Sequence, residues 1–329
     1  MGDVAMTIPV IRALTEQHPE IKITFLSKGF LKPLFDDIPN VTFYAADVKN
    51  KHKGVLGLHK LSKELKQLNI THVADLHNVL RSKILRNFLK FSTKNIAVID
   101  KGRSEKKALT RIENKVFKQL KTSFERYADV FRKLNFSVDI TNPTKLEKPT
   151  LAKSIFDLTG EKQKNWIGIA PFAAYDAKMY PLDLMQNVMD KLSEKNTIIL
   201  FGGGEKEVTI LSEIEQKNKN IISVAGKLNL KNELNLIAHL DCMLAMDSGN
   251  AHFAAMLQIP TITVWGATHP FAGFAPFHQP AENCLLPDLD KYPSIPCSIY
   301  GNKICDGYED VMRTISPEKI VEKIEEILN

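Results

Sequence analysis

Between Leu244 and Pro270 the chain reads LAMDSGNAHFAAMLQIPTITVWGATHP. An apolar run ends in Asp247-Ser248-Gly249, a helical pattern then carries His252 on its first turn, and a β-branched run from Thr261 to Val264 ends in Gly266-Ala267-Thr268. In an open α/β sheet the turns at the carboxyl ends of neighbouring strands share one crevice, and a helix N-terminus there offers unpaired N–H groups to an anion. The pattern predicts an anionic ligand, a nucleotide phosphate, over residues 247–252.

Other residue types fit the same chemistry. Lys178 precedes a helix that starts near Pro181, and Gly202-Gly203-Gly204 opens another helix whose first turn carries Glu205 and Glu207. Asp3 lies in a turn feeding the first helix, and Asp75-Leu76-His77 ends a short strand ahead of Arg81. Each has a plainer reading beside the functional one. Asp3, Asp247 and Ser248 are good helix caps, Lys178 could be a solvated lysine, and His252 a satisfied histidine on a buried helix face.

Stepping outward to the whole chain, 329 residues with 44% hydrophobic content suffice for two domains of ordinary size. No apolar run approaches the roughly 20 residues of a membrane helix, and the N-terminus lacks the layout of a signal peptide. These features favour a cytosolic protein. Cys242, Cys284, Cys297 and Cys305 are too few and scattered for a disulfide framework, and are expected to be reduced thiols. A metal site using Cys297, Cys305 and a histidine is a minor alternative.

The net charge of +6 is unevenly spread: residues 49–121 hold 19 Lys and Arg against 5 Asp and Glu. Such a segment favours an anionic membrane surface or a phosphorylated substrate. Nucleic acid is disfavoured, because aromatic side chains are not interleaved with the basic ones.

Strands alternate with helices through most of the chain, which argues for parallel sheets with crossover helices. Strands are expected at 22–26, 41–44, 71–76, 95–99, 166–169, 197–201 and 221–224 as well as in the opening stretch. Residues 111–135 read as one long helix. The pattern breaks down between Asp139 and Lys164, an interdomain linker, and residues 271–307 show no periodicity. Ser316-Pro317 caps a last helix. The expected domains are residues 1–145 and 146–315, with a C-terminal helix at 316–329 packing back on the N-terminal domain. The turn at Gly2-Asp3 has no strand before it, although a doubly wound domain begins with a central one. The expectation is that the natural gene product starts about ten residues earlier with an apolar, β-branched run.

Five motifs, in order, resemble glycosyltransferase family 9, the lipopolysaccharide heptosyltransferases. They are Gly2-Asp3-Val4-Ala5-Met6-Thr7-Ile8-Pro9, Asp75-Leu76-His77 with Arg81-Ser82, Lys178-Met179-Tyr180-Pro181, Asp247-Ser248-Gly249-Asn250-Ala251-His252, and Gly266-Ala267-Thr268-His269-Pro270. The resemblance implies a GT-B fold of two Rossmann-like domains, the first for the acceptor and the second for the donor. It implies inverting transfer of a heptose from an ADP-sugar to a lipid-linked core saccharide at the cytoplasmic face of the inner membrane, with no metal or other cofactor. On this reading Asp3 is the general base, and Lys178, Asp247, Ser248, Gly249 and His252 bind the donor, with Glu205 or Glu207 on the nucleoside ribose. His77, Arg81, Lys83, Lys101 and Arg103 meet a phosphorylated glycolipid acceptor. Ala173-Ala174 stand where the family often has hydroxyl residues. The alternatives are a GT-B enzyme with another nucleotide sugar and a binding protein without turnover. A nicotinamide dehydrogenase is disfavoured because no G-x-G-x-x-G follows a strand with an acid about 20 residues on.

Overall fold

The computed structural model describes residues 1–329. It divides into two compact units, a larger one of Met1–Ala5, Arg103–Thr122 and Lys145–Asn329 and a smaller one of Met6–Gly102 and Ser123–Thr144. In chain order the first elements are α1 (Gly2–Ala5), α2 (Ile8–Gln17), β1 (Ile23–Ser27), β2 (Val41–Ala45), α3 (Gly54–Lys66), β3 (His72–Asp75), α4 (Leu80–Leu89), β4 (Asn95–Val98), α5 (Arg103–Leu109) and α6 (Ser123–Arg132). After them come α7 (Lys153–Thr159), β5 (Trp166–Ala170), α8 (Leu182–Ser193), β6 (Thr197–Leu200), α9 (Glu205–Glu215), β7 (Ile221–Ser223) and α10 (Leu230–Ile237). The last are β8 (Cys242–Met246), α11 (Gly249–Met256), β9 (Thr261–Val264), β10 (Cys284–Leu285) and α12 (Pro317–Leu328).

The larger unit is built on a six-stranded sheet in the order β10-β9-β8-β5-β6-β7, with every neighbouring pair parallel. Its central strands are apolar at nearly every position, as expected for strands covered on both faces. All residues of β5, β8 and β9 are buried. Gly168 is closely packed here: a Cβ at that position would lie 2.5 Å from Leu240 Cδ1 and 3.1 Å from Met243 Cε, so those buried side chains would have to move. The chain runs β5, β6, β7 toward one edge, then returns to lay β8, β9 and β10 on the other side of β5. Strand order therefore reverses between β5 and β8, which opens a crevice beyond their carboxyl ends.

Helix α12 packs on this unit. Its buried Ile320, Val321 and Ile324 join one core with Met185, Val188 and Met189 of α8. Tyr180 Oη donates to the Ile315 carbonyl at 2.6 Å just ahead of it. Ser316 accepts the Lys319 N–H at 3.2 Å, the capping expected from Ser-Pro. β10, with only two residues, is too short to show a period in residues 271–307.

In the smaller unit β1 pairs with β2 and β3 with β4, each pair parallel, and no ladder joins the two pairs. Leu58, Leu61 and Leu65 of α3 pack with Leu85 and Leu89 of α4. Asp75, at the end of β3, is buried; it binds Arg86 Nη1 at 2.6 Å and accepts the N–H groups of His77 and Asn78 at 3.1 and 2.7 Å.

The single helix expected over residues 111–135 is replaced by an irregular stretch and then α6. Tertiary partners displace the helical bonds: Leu120 N donates to Phe271 O at 2.9 Å, Lys115 Nζ to Ser294 O at 2.7 Å, and Asn114 adopts a φ of 52°. Overpacking the sheet tests the close approach at β5. Gly168→Val is expected to cost about 1–3 kcal/mol, read as a lower urea midpoint for the larger unit.

Candidate functional site

Three turns meet at the carboxyl edge of the larger unit's sheet. Registry sets them level, because Ala170 pairs with Ala245 and Met246 with Val264, so β5, β8 and β9 end together. After β8 comes Asp247, buried, whose Oδ2 takes Lys178 Nζ at 2.8 Å and Thr268 Oγ1 at 2.9 Å. Lys178 comes from the segment after β5 and Thr268 from the turn after β9. Ala267 N donates to Ala177 O at 2.9 Å, which ties the second and third turns directly.

Ser248 occupies the N-cap position of α11 but makes no capping bond there, and its Oγ is buried without a partner. Capping alone therefore does not explain it. A buried hydroxyl with nothing to bond is costly, and at a helix N-terminus its natural partner is an anion.

His252 lies one turn into α11. Burial pushes its imidazole down to about 4; the Asp247 carboxylate pulls the other way and the Lys178 ammonium adds to the fall. The ring is neutral at pH 7, and its Nδ1 is buried without a partner. Asp3 belongs to the same unit. It lies in the first turn of α1, not at its N-cap, and is exposed. α1 packs on α11: a Cβ on Gly2 would sit 3.3 Å from His252 Cδ2 and 3.7 Å from Gly249 Cα. The structure thus brings together Asp3, Lys178, Asp247, Ser248, Gly249 and His252, residues spread over 250 positions of sequence.

The remaining expected site residues fall in two groups. After β6, Gly204 at a φ of 89° leads into α9, and Gly203 to Glu207 line an open depression. Glu207 Oε2 accepts the Gly203 N–H at 2.7 Å, so it shapes the turn, whereas Glu205 is exposed. Of the basic residues, Arg103 belongs to the larger unit, while His77, Arg81, Lys83 and Lys101 belong to the smaller one. His77, Arg81, Lys83 and Arg103 are exposed.

Two features were not read from the sequence. Thr268, inside the Gly266–Pro270 motif, donates its hydroxyl to Asp247. Cys297 and Cys305, expected as reduced thiols, form a disulfide with Cα atoms 5.4 Å apart. The loop between them turns back on itself: Gly301 N donates to Ser298 Oγ at 2.9 Å, and Ser298 Oγ donates to Lys303 O at 3.1 Å. That reversal brings the cysteines together, and spacing alone could not reveal it. Bonded to each other, they are not available as metal ligands.

The buried imidazole has a consequence for stability. Between pH about 6.5 and about 4 the unfolded chain binds a proton at His252 that the folded chain does not, so stability falls as pH drops through that window. His269, also pushed down to about 4 by burial, adds to the same loss. His252→Asn is expected to shrink the difference in urea midpoint between pH 7 and pH 5 without abolishing it; an unchanged difference would contradict a buried neutral His252.

Comparison with known proteins matches this geometry. The family model for glycosyltransferase family 9 (heptosyltransferase) matches residues 58–298. The chain is 25% identical to lipooligosaccharide heptosyltransferase 2 of Campylobacter jejuni subsp. jejuni serotype O:6, with 99% of this chain and 96% of the relative covered. Among solved structures, a family 9 glycosyl transferase from Veillonella parvula superposes with a TM-score of 0.76 at 17% identity, covering 99% of this chain and 94% of that one. E. coli ADP-heptose LPS heptosyltransferase II does so with a TM-score of 0.72 at 18% identity, covering 99% and 95%. With its parallel sheet, its crevice at the strand-order reversal and a family match over most of its length, the chain belongs to glycosyltransferase family 9, the heptosyltransferase family, and has the GT-B fold.

Proposed function

We propose that this glycosyltransferase moves a heptose from an ADP-sugar to a saccharide of the lipopolysaccharide core, with inversion and without a metal ion. The observation that carries the reading is the cluster around the N-terminus of α11: a buried Lys178–Asp247 pair, an unpartnered buried Ser248 hydroxyl, a neutral His252, and α1 with Asp3 packed against them. The E. coli neighbour named for ADP-heptose supports the donor, and the Campylobacter relative supports the acceptor class.

In an inverting displacement the acceptor hydroxyl oxygen attacks the anomeric carbon from the face opposite the diphosphate. The new carbon–oxygen bond forms as the bond to phosphate oxygen breaks, and the electron pair leaves with ADP. Asp3 takes the hydroxyl proton as general base. Negative charge grows on the departing diphosphate, and the Lys178 ammonium, the Ser248 hydroxyl and the N–H groups opening α11 are the donors that can meet it. His252, neutral, adds no positive charge there, but a ring N–H can still donate. Asp247 holds Lys178 in place while its second oxygen remains for a hydroxyl of the transferred sugar. Glu205, exposed in the turn after β6, is the better match for the ribose because Glu207 is engaged with Gly203.

The acceptor reading rests on charge. Arg81 and Lys83 lie on the first turn of α4, which has no acidic residue, and Leu56 and Leu80 near the starts of α3 and α4 are 85% and 75% exposed. The ends of these helices lie together, as Lys66 Nζ sits 5.9 Å from the Phe91 ring at their C-termini. At the start of α4 the exposed Leu80 is followed at once by the exposed Arg81 and Lys83, an apolar and basic combination suited to an anionic bilayer surface. No helix of the chain is long and apolar enough to cross a membrane. We place the enzyme at the cytoplasmic face of the inner membrane, peripheral to it and drawn to a phosphorylated glycolipid.

Two experiments test this function. ADP release should occur with ADP-heptose and a deacylated core oligosaccharide, persist in EDTA, and fall by about 10²- to 10⁴-fold in Asp3→Ala. Lys178→Ala should both raise the donor KM and lower kcat. Release with a different sugar nucleotide would replace the donor, and binding without release in every combination would make the chain a binding protein. For the membrane, sedimentation with phosphatidylglycerol vesicles should be strong at low salt and lost at about 0.5 M, where charges are screened within a few ångströms; absent or salt-independent binding would remove the surface from the proposal.

A further inference from the structure

The loop closed by Cys297 and Cys305 has no part in the chemistry described above, yet it touches the site directly. Its first residue is anchored to the turn after β9, with Cys297 N donating to Ala267 O at 2.9 Å. Its tip bears on the ion pair. Gly301, at a φ of 76°, lies so close to the Lys178 stem that a Cβ would collide with Cγ and Cδ, and it would meet Thr268 Cγ2 at 3.4 Å. Only glycine suits that combination of backbone and contact. The next residue back is Tyr300.

Tyr300 is 55% exposed on a loop fixed at both ends. The ring is backed as well as exposed. Phe274 lies behind it with centroids 5.9 Å apart and planes at 34°, and the buried Lys106 ammonium sits 4.0 Å from the Phe274 centroid. Ile299, the residue before it, packs with Phe271 and Phe274 against buried Leu109, Leu120 and Ala272. Contacts link Tyr300 to the site of Asp3: its neighbour Gly301 packs on Lys178, Lys178 pairs with Asp247 just ahead of α11, and α1, which carries Asp3, packs on α11. Burial raises the Tyr300 phenol, with the Asp3 carboxylate adding to the rise and the Arg103 guanidinium opposing it.

We propose that Tyr300 is a stacking platform for a pyranose ring of the acceptor, held in place by the cross-linked loop Cys297–Cys305 and presented at the site that holds Lys178 and Asp3. The deduction turns on which substrate is near. The diphosphate and donor sugar belong with Lys178, Asp247 and α11, whereas the hydroxyl that loses its proton must come to Asp3. A sugar ring bonded to that hydroxyl presents a face of C–H groups, which packs on an aromatic face as other apolar groups do. Arg103 adds a guanidinium suited to a phosphate or carboxylate on the same saccharide. A platform fixed before binding saves the ordering entropy that a free loop would lose.

The proposal rests on the transferase reading for the identity of the ring, and its test separates the two. Tyr300→Ala should raise the acceptor KM roughly tenfold, the scale of a lost aromatic stack, with the donor KM within about twofold of wild type. Tyr300→Phe should keep the wild-type acceptor KM, since the ring and not the hydroxyl carries the contact. In parallel, saturation-transfer NMR with a deacylated inner-core oligosaccharide, no donor present, should show ring-proton signals with the wild type and Tyr300→Phe and none with Tyr300→Ala. An unchanged acceptor KM in Tyr300→Ala, or an equal loss in Tyr300→Phe, would overturn the platform. Absent signal with the wild type would overturn it too. A signal that depends on Tyr300 in a protein that transfers no sugar would leave the platform standing and remove the transferase reading instead.

Discussion

The buried contact between Asp247 and Lys178 holds the site together. Each ion has left water, and removing one partner of such a pair typically costs about 3–5 kcal/mol because the other charge is stranded. Replacing a buried ion pair by apolar residues of similar volume is often neutral for stability, and here the pair's clearest structural effect is to hold the turns of the site together. Thr268 supplies a further bond to the carboxylate and Gly301 a seat for the lysine stem. One carboxylate thereby fixes the relative positions of the turns after β5, β8 and β9, which together frame the crevice at the strand-order reversal.

That arrangement depends on the sheet beneath it. Registry of β5, β8 and β9 sets three strand ends at one level, and reversal of strand order at β5 leaves room above them. Close packing at Gly168 keeps the strands and the layer behind them in fixed relation. The polar groups left unbonded, Ser248 Oγ and His252 Nδ1, sit on this rigid base. Unsatisfied buried groups are tolerated where a ligand completes them, and a rigid frame prevents their collapse onto other partners.

The region after β9 contributes in a different way. It has little regular structure, but each of its turns is tied: Cys297 to Ala267, Gly301 to Ser298, Cys297 to Cys305. Irregular backbone held by several such ties can present side chains as firmly as a strand does. Residues 111–122 follow the same logic, for Leu120 and Lys115 bond to Phe271 and Ser294 in place of a helix ladder.

The sequence by itself determined every strand but β10, most of the helices, and the residues that gather around the N-terminus of α11. Runs such as Cys242 to Met246 are apolar at consecutive positions because parallel strands are covered on both faces, and the turn residues that follow them are fixed by position in the chain. Periodicity failed where tertiary partners replaced local ones. Residues 111–122 carry a helical pattern that bonds to Phe271 and Ser294 prevent from forming, and α12 showed its apolar stripe without showing that α8 receives it. The tertiary structure alone decided that Cys297 meets Cys305, that Thr268 serves Asp247, that Glu207 is engaged with Gly203 while Glu205 stays exposed, and that Tyr300 stands out against Phe274. Each is a contact between segments whose approach depends on how the loops reverse, and local residue type does not encode that.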